Sequence, residues 1–235
     1  MFANAFACDG FALIPGVLDE ACCAALAGLT VTAASGSPGT RCLLANDWCR
    51  TLASTLRAHP AIAPVIPDDY VAVQCTYFEK SRAQNWLVPV HQDLGIPVQA
   101  HVPHPALGGW AEKEGSLFVQ PPVELLARLV ALRLHLDPCL DEDGPLQFVP
   151  GTHTLGRLGA AQARALKQAG PLVTCAADRG AVLMMRPLAL HASSKATGTS
   201  RRRVLHFVFG PAQLPHGLAW AQTVGSPVRP SSIAL

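Results

Sequence analysis

After Tyr70 the sequence breaks into short apolar runs, each closed off by Gly, Pro or an acidic turn before it reaches the length of an ordinary helix. YVAVQCTYFE (70–79), ALRLHLD (131–137), GAVLMMR (180–186) and RVLHFVFG (203–210) are rich in branched and aromatic residues and read as strands. WLVPV (86–90) and LQFVP (146–150) look extended, 95–110 is broken by Gly and Pro, and DEDG (141–144) is a turn. Earlier residues read differently. DGFALIPG (9–16) is a short strand ended by Pro15-Gly16. Asp19 can cap a helix with Leu18, Cys22, Leu26 and Leu29 at helical spacing. Asn46 or Asp47 can cap a second, with Trp48, Leu52 and Leu56 on one face and Pro60 as its stop. GSPGT (36–40) reads as a loop, 121–129 as a helical turn, and 160–169 as the strongest helix of the second half. Helices first and many short strands after them predict an α+β chain, mainly β, built on a β-sandwich or jelly roll.

Composition narrows the function. The 235 residues suit one domain, and with half of them apolar a sizeable core can form. Charged residues are 14%, against ~25% in an ordinary domain. A formal net charge of +2 argues against nucleic acid as the main partner. No stretch reaches the ~18 apolar residues of a membrane span. The longest candidate, 125–136, is interrupted by Arg128, Arg133 and His135. The start of the chain lacks a basic segment before its apolar residues and carries Asp9, so a cytoplasmic protein is expected. Eight cysteines without a CxxC pair are then expected as reduced thiols.

His91 and Asp93, in VPVHQDLG, are two apart in an extended segment, so their side chains point the same way and that of Gln92 points away. Imidazole and carboxylate together suit Fe(II), Mn(II) or Zn(II), although H-x-D alone is as well explained by a local hydrogen bond. His191, just after the strand 180–186, supplies a third ligand from a distant segment. Two histidines and one carboxylate on one face of an iron leave three positions open, for a bidentate co-substrate and O₂. Arg201, Arg202 and Arg203 follow at the start of a strand, where a buried guanidinium can grip a carboxylate through two parallel bonds. Alternation puts Arg202 on one face with Val204 and His206, opposite Arg201 and Arg203.

From DGFALIPGVLDE to RRRVLHFVFGP the chain resembles the phytanoyl-CoA dioxygenase family, whose members depend on Fe(II) and 2-oxoglutarate. The landmarks are NWLVPVHQDLGIPV, LRLHLDPCLDEDGPLQFVPGTH and GAVLMMRPLALHASSKATGTSRRRVLH. The resemblance implies a double-stranded β-helix of jelly-roll or cupin-like form (about 70–212) with a helical flank (about 1–68), in a single domain spanning 1–235. It implies His91, Asp93 and His191 as metal ligands, and Arg202 and Ser193 as contacts of 2-oxoglutarate, with the arginine register open by one. Relatives that halogenate lack the carboxylate, so Asp93 favours hydroxylation, with O₂ consumed and succinate and CO₂ released. A small organic molecule is the expected substrate; its identity and the oligomeric state are not encoded in any motif. The alternatives are a Zn(II) or Mn(II) enzyme on the same ligands, which leaves Arg202 without a purpose, or a non-catalytic jelly roll.

Other residues receive structural readings. His135 is expected as a core or barrel histidine, His153 as a turn residue, and His101 and His104 as exposed. Arg186 faces the site or pairs with an acid. Trp86, Trp110 and Lys113 are assigned to loops over the site, and the Pro-rich 97–122 to the segment that shapes the pocket.

Overall fold

The computed structural model describes residues 2–33 and 39–225. Eight strands alternate between two antiparallel sheets. β3 (Tyr70–Lys80), β8 (Val130–His135), β11 (Val182–Met185) and β13 (Arg202–Pro211) form the larger, in the order β11-β8-β13-β3. β1 (Phe11–Ile14) extends this sheet beside β11, and the short β2 (Gly39–Thr40) extends it beside β3. β4 (Val88–His91), β9 (Leu146–Phe148), β10 (Val173–Cys175) and β12 (His191–Ser193) form the smaller, in the order β10-β9-β12-β4. Successive strands crossing between facing sheets make the expected double-stranded β-helix. Between β4 and β8 the chain inserts a third sheet from β5 (Ile96–Val98), β6 (Gly108–Lys113) and β7 (Ser116–Gln120).

Strand alternation gives the large sheet two different faces. Cys75 and Tyr77 of β3, Leu132 and Leu134 of β8, and Leu205 and Phe207 of β13 are fully buried on the outer face. They pack on Phe6 of α1 (Phe2–Asp9), Ala27 of α2 (Glu20–Ala33) and Leu52 and Leu56 of α3 (Asp47–Ala58). The opposite residues, Gln74, Thr76, Phe78 and Lys80 of β3 and Arg202 and His206 of β13, turn between the sheets. One part of that interior is apolar, where Phe11 and Phe148 stack 4.4 Å apart beside Leu183 and Met185. The polar part is lined by residues of β3, β4, β12 and β13.

Most local expectations hold. Asp19 caps α2 by accepting the Cys22 amide at 2.7 Å, α3 begins after Asn46, and Pro60 follows its end. The phase of α2 differs from the one read in sequence. Cys23, Ala27 and Thr30 are buried, whereas Cys22 and Leu29 are exposed, because a helix that is apolar on nearly every face gives spacing little to choose between. α1 and the pairing of β12 have no counterpart in the sequence reading. The 36–40 loop falls largely outside the described residues, with Gly39 and Thr40 paired to β3. All eight cysteines are free thiols. No helix of the described residues is long and apolar enough to cross a membrane.

Candidate metal and co-substrate site

Register brings the two histidines together: His191, the first residue of β12, is the pairing partner of His91, the last of β4. Their rings lie 4.2 Å apart. Gln92 is pinned away from the interior, its amide donating to the carbonyls of Gly156 and Leu188 at 2.8 Å and its oxygen accepting the Leu158 amide. Asp93 is therefore turned inward, with its own amide held by the Pro187 carbonyl at 2.8 Å. The expected alternation is met: His91 and Asp93 share a face and Gln92 points the other way.

One ligand atom from each of His91, Asp93 and His191 lies within 4.8 Å of the others. The Asp93 carboxylate is 3.6 Å from Nε2 of His91 and 3.8 Å from Nε2 of His191. Two donors each ~2.1 Å from one ion can be at most ~4.2 Å apart, so both separations fit a shared ion. The tautomers fit as well. Nδ1 of His91 is 2.9 Å from the Pro89 carbonyl and Nδ1 of His191 is 2.9 Å from that of Ala189. A carbonyl can only accept, so each Nδ1 carries the proton and each Nε2 presents a lone pair toward Asp93. Burial, aided by the neighbouring His91, pulls His191 down to about 4 despite Asp93, which keeps that ring neutral. Burial opposes charge on Asp93 too, but whenever the neighbouring His191 or His91 imidazole carries an added proton its charge outweighs burial and holds the carboxyl far below its ordinary range. Among the described residues these three form the one cluster suited to a metal.

The three consecutive arginines separate cleanly. Arg201 points out and makes two 2.8 Å bonds to Glu79. Arg203, also on the outer face, donates twice to Asp137 at 2.7 Å. Arg202 alone turns inward. It is 3% exposed, lines the cavity and has no carboxylate partner among the described residues. Its Nη1 donates to the Gly144 carbonyl, and Nε has no partner. The DEDG turn delivers that carbonyl: Gly144 has φ +64°, and a Cβ there would lie 2.5 Å from the Ser194 carbonyl, so only glycine fits. Ser193, on β12 two residues past His191, is buried and accepts a hydrogen bond from Nζ of Lys80 at 2.9 Å. Lys80 also donates to the Ser194 carbonyl at 2.6 Å.

His91, Asp93, His191, Ser193 and Arg202 thus line one cavity of about 490 Å³. Its wall includes Trp86 and Lys113 as expected, together with Gly109, Phe118 and Gln120 from the inserted sheet; Trp110 is not part of it. His101 lies tilted against Trp110 with ring centroids 4.1 Å apart and His104 stacks on His216 at 4.0 Å, both away from the cavity; His101 is exposed as expected, whereas this stacking leaves His104 only partly exposed. Arg186 binds the carbonyls of Arg128 and Leu129 and lies over Phe6, so it is structural. His153 packs against Gly10, also outside. Lys80, Thr76, His206 and Arg133 were not singled out as site residues by sequence. The signal existed in β3, where every second residue from Gln74 to Lys80 faces inward, but only the pairing shows which face is the interior.

A jelly roll holding two imidazoles and one carboxylate around open space is the scaffold of the non-haem iron enzymes that use a second, oxygen-rich ligand. The chain belongs to the phytanoyl-CoA dioxygenase family, whose model matches residues 6–204. The cofactors that go with this family and this donor set are Fe(II) and 2-oxoglutarate. Among curated proteins none matches. Solved structures do. The α-ketoglutarate-dependent epimerase SnoN of nogalamycin biosynthesis is 17% identical with a TM-score of 0.65, over 98% of this chain and 92% of its own. The carbocyclase SnoK of the same biosynthesis is 16% identical with a TM-score of 0.65, over 90% and 83%. HygX from Streptomyces hygroscopicus, solved with nickel, 2-oxoglutarate and hygromycin B, is 18% identical with a TM-score of 0.59, over 89% and 86%. At these identities the likeness is one of fold.

Proposed function

We propose that the chain, acting as one domain over 1–235, hydroxylates a small organic molecule. One atom of O₂ enters the substrate C–H bond; the other enters succinate as 2-oxoglutarate loses CO₂. His91, Asp93 and His191 hold Fe(II), and Arg202 and Ser193 take the distal carboxylate of 2-oxoglutarate. The observation that carries this reading is the pairing of a convergent Nε2–carboxylate–Nε2 set with the one inward arginine of three. Bound iron supplies the activation of O₂. The protein's own residues do the positioning. The Pro89 and Ala189 carbonyls fix the imidazole tautomers, Gln92 aims Asp93, and Lys80 orients the Ser193 hydroxyl. The inserted sheet supplies part of the cavity wall through Gly109, Phe118 and Gln120. A Zn(II) or Mn(II) hydrolase would leave Arg202 buried without a partner, which disfavours that alternative. A cytoplasmic setting agrees with eight free thiols and a site that needs ferrous iron.

An epimerase and a carbocyclase share this fold, so the fate of the substrate depends on which C–H it presents. The direct test is conversion of 2-oxoglutarate to succinate by purified protein with Fe(II) and O₂. Slow uncoupled conversion, lost in Asp93→Ala, is expected. Metal-loaded, folded protein that leaves 2-oxoglutarate untouched overturns the proposal.

A further inference from the structure

The interior carries more positive charge than a metal and its dicarboxylate co-substrate account for. Lys80, Arg133 and Arg202 project into it from β3, β8 and β13, with exposures of 1%, 7% and 3%. Among the described residues none of the three has a carboxylate partner, and Asp93 is the only acid lining the cavity. A divalent ion, one Asp carboxylate and the 2-oxoglutarate dianion together sum to a single negative charge. Three buried cations face it. Unpaired buried charge is costly, so a further anion is called for.

Position says which cation that anion meets. Lys80 and Arg202 are pairing partners, and they share the Ser193–Gly144 corner. Arg133 belongs to a different row: it pairs with His206, which pairs with Thr76. That row is four residues along β13 from Arg202, roughly 13 Å of strand. Arg133 and His206 line the same cavity as Asp93 and His191, and the Asp93 carboxylate acts on both. The contact shown for the Arg133 guanidinium is the face of Phe78, 5.3 Å away. Arg133 Nε and His206 Nδ1 are buried without hydrogen-bond partners, as are both ring nitrogens of His135, two residues from Arg133 on the same face of β8. Buried polar atoms are nearly always satisfied, and of these three residues Arg133 and His206 line the cavity, so those two mark a place for a ligand group.

Resting on the assignment of metal and 2-oxoglutarate above, we infer that Arg133 and His206 form a second anion site in the cavity, and that the molecule oxidised carries a carboxylate which this site holds. The carboxylate of the substrate would lie beside the metal, and its apolar body against Phe78, Phe118, Leu129 and Met185, which line the same cavity. A bidentate guanidinium contact of this kind fixes both place and orientation, and so selects the C–H presented.

The test uses protein loaded with Ni(II) and saturating 2-oxoglutarate, anaerobically, with hexanoate and hexanamide as probes of equal shape. Saturation-transfer NMR should show hexanoate bound and hexanamide bound at least about tenfold more weakly, the ordinary worth of a charge-assisted contact. Arg133→Met should abolish the preference, while Arg133→Lys keeps part of it. Calorimetry should give Arg133→Met a 2-oxoglutarate affinity within about threefold of wild type, whereas Arg202→Met loses at least ~30-fold. Thermal unfolding of Arg133→Met should be no lower than wild type, since no protein carboxylate loses its partner. Equal binding of acid and amide, or a 2-oxoglutarate loss in Arg133→Met as large as in Arg202→Met, overturns the second site alone. In the latter case Arg133 is a co-substrate contact. Failure of 2-oxoglutarate to bind the wild-type protein overturns the underlying assignment as well.

Discussion

Replacing each of the three adjacent arginines with methionine should have three different consequences. Arg201 is 46% exposed in its pair with Glu79, and solvent-screened pairs of this kind contribute under ~1 kcal/mol. Arg201→Met should therefore change neither stability nor ligand binding measurably. Arg203 and Asp137 are a two-bond pair with side-chain exposures of 16% and 9%. Its removal strands a nearly buried carboxylate. Breaking such a pair costs ~3–5 kcal/mol, and the partial exposure of Arg203 puts the value near ~3. At this chain length that lowers Tm by roughly 6–12 °C. Affinity for 2-oxoglutarate should be unchanged, because Arg203 lies on the outer face. Arg202→Met reverses the pattern. It removes a buried cation that has only a carbonyl and a thiol for partners, so stability holds or rises. The distal carboxylate of 2-oxoglutarate loses its counterion, a cost of ~2–5 kcal/mol, or ~30- to 5,000-fold in Kd. Thermal unfolding and calorimetry with Ni(II) and 2-oxoglutarate read both quantities on all three variants. A 2-oxoglutarate defect in Arg201→Met or Arg203→Met that exceeds the one in Arg202→Met would refute the strand-face argument.

Asp93→Ala should weaken Ni(II) or Fe(II) binding more than ~100-fold, beyond what loss of an outer-shell partner costs, with the fold intact by circular dichroism. Lys80 is held at about 8, chiefly by burial and then by Arg202 and Arg133. It is charged at pH 7 and loses its proton as pH rises through that value, so 2-oxoglutarate affinity should fall between pH 7 and 9, and Lys80→Met should remove this dependence. Gly144→Ala forces a side chain into φ +64° and against the Ser194 carbonyl, which should cost ~1–3 kcal/mol in urea unfolding and weaken 2-oxoglutarate binding through the displaced Arg202 contact. Exchanging the segment 97–122 for that of a relative should alter which substrates are accepted; unchanged preference would show that the inserted sheet does not shape the pocket.

The shared face of His91 and Asp93 was legible because it depends on period two, whereas their reading as metal ligands together with His191 came from the resemblance. His91, Gln92 and Asp93 alternate in an extended segment, and the strand face of Arg202 follows by the same rule. The jelly-roll order was legible only through the resemblance, since short apolar runs alone leave a sandwich open. The cations of the interior were hidden for a different reason. Lys80 ends a strand and Arg133 sits mid-strand, positions where a charge reads as solvated or accidental until pairing shows that both faces of the sheet are covered. The phase of α2 was obscured by its abundance of alanine and cysteine, and β12 by its length of three residues.

The most direct test of the iron and 2-oxoglutarate assignment is the visible spectrum of the metal-free protein mixed anaerobically with Fe(II) and 2-oxoglutarate. A weak charge-transfer band that needs both additions is predicted, absent in Asp93→Ala and demanding far more 2-oxoglutarate in Arg202→Met. Folded protein that binds the metal yet shows no band at any 2-oxoglutarate concentration would contradict it.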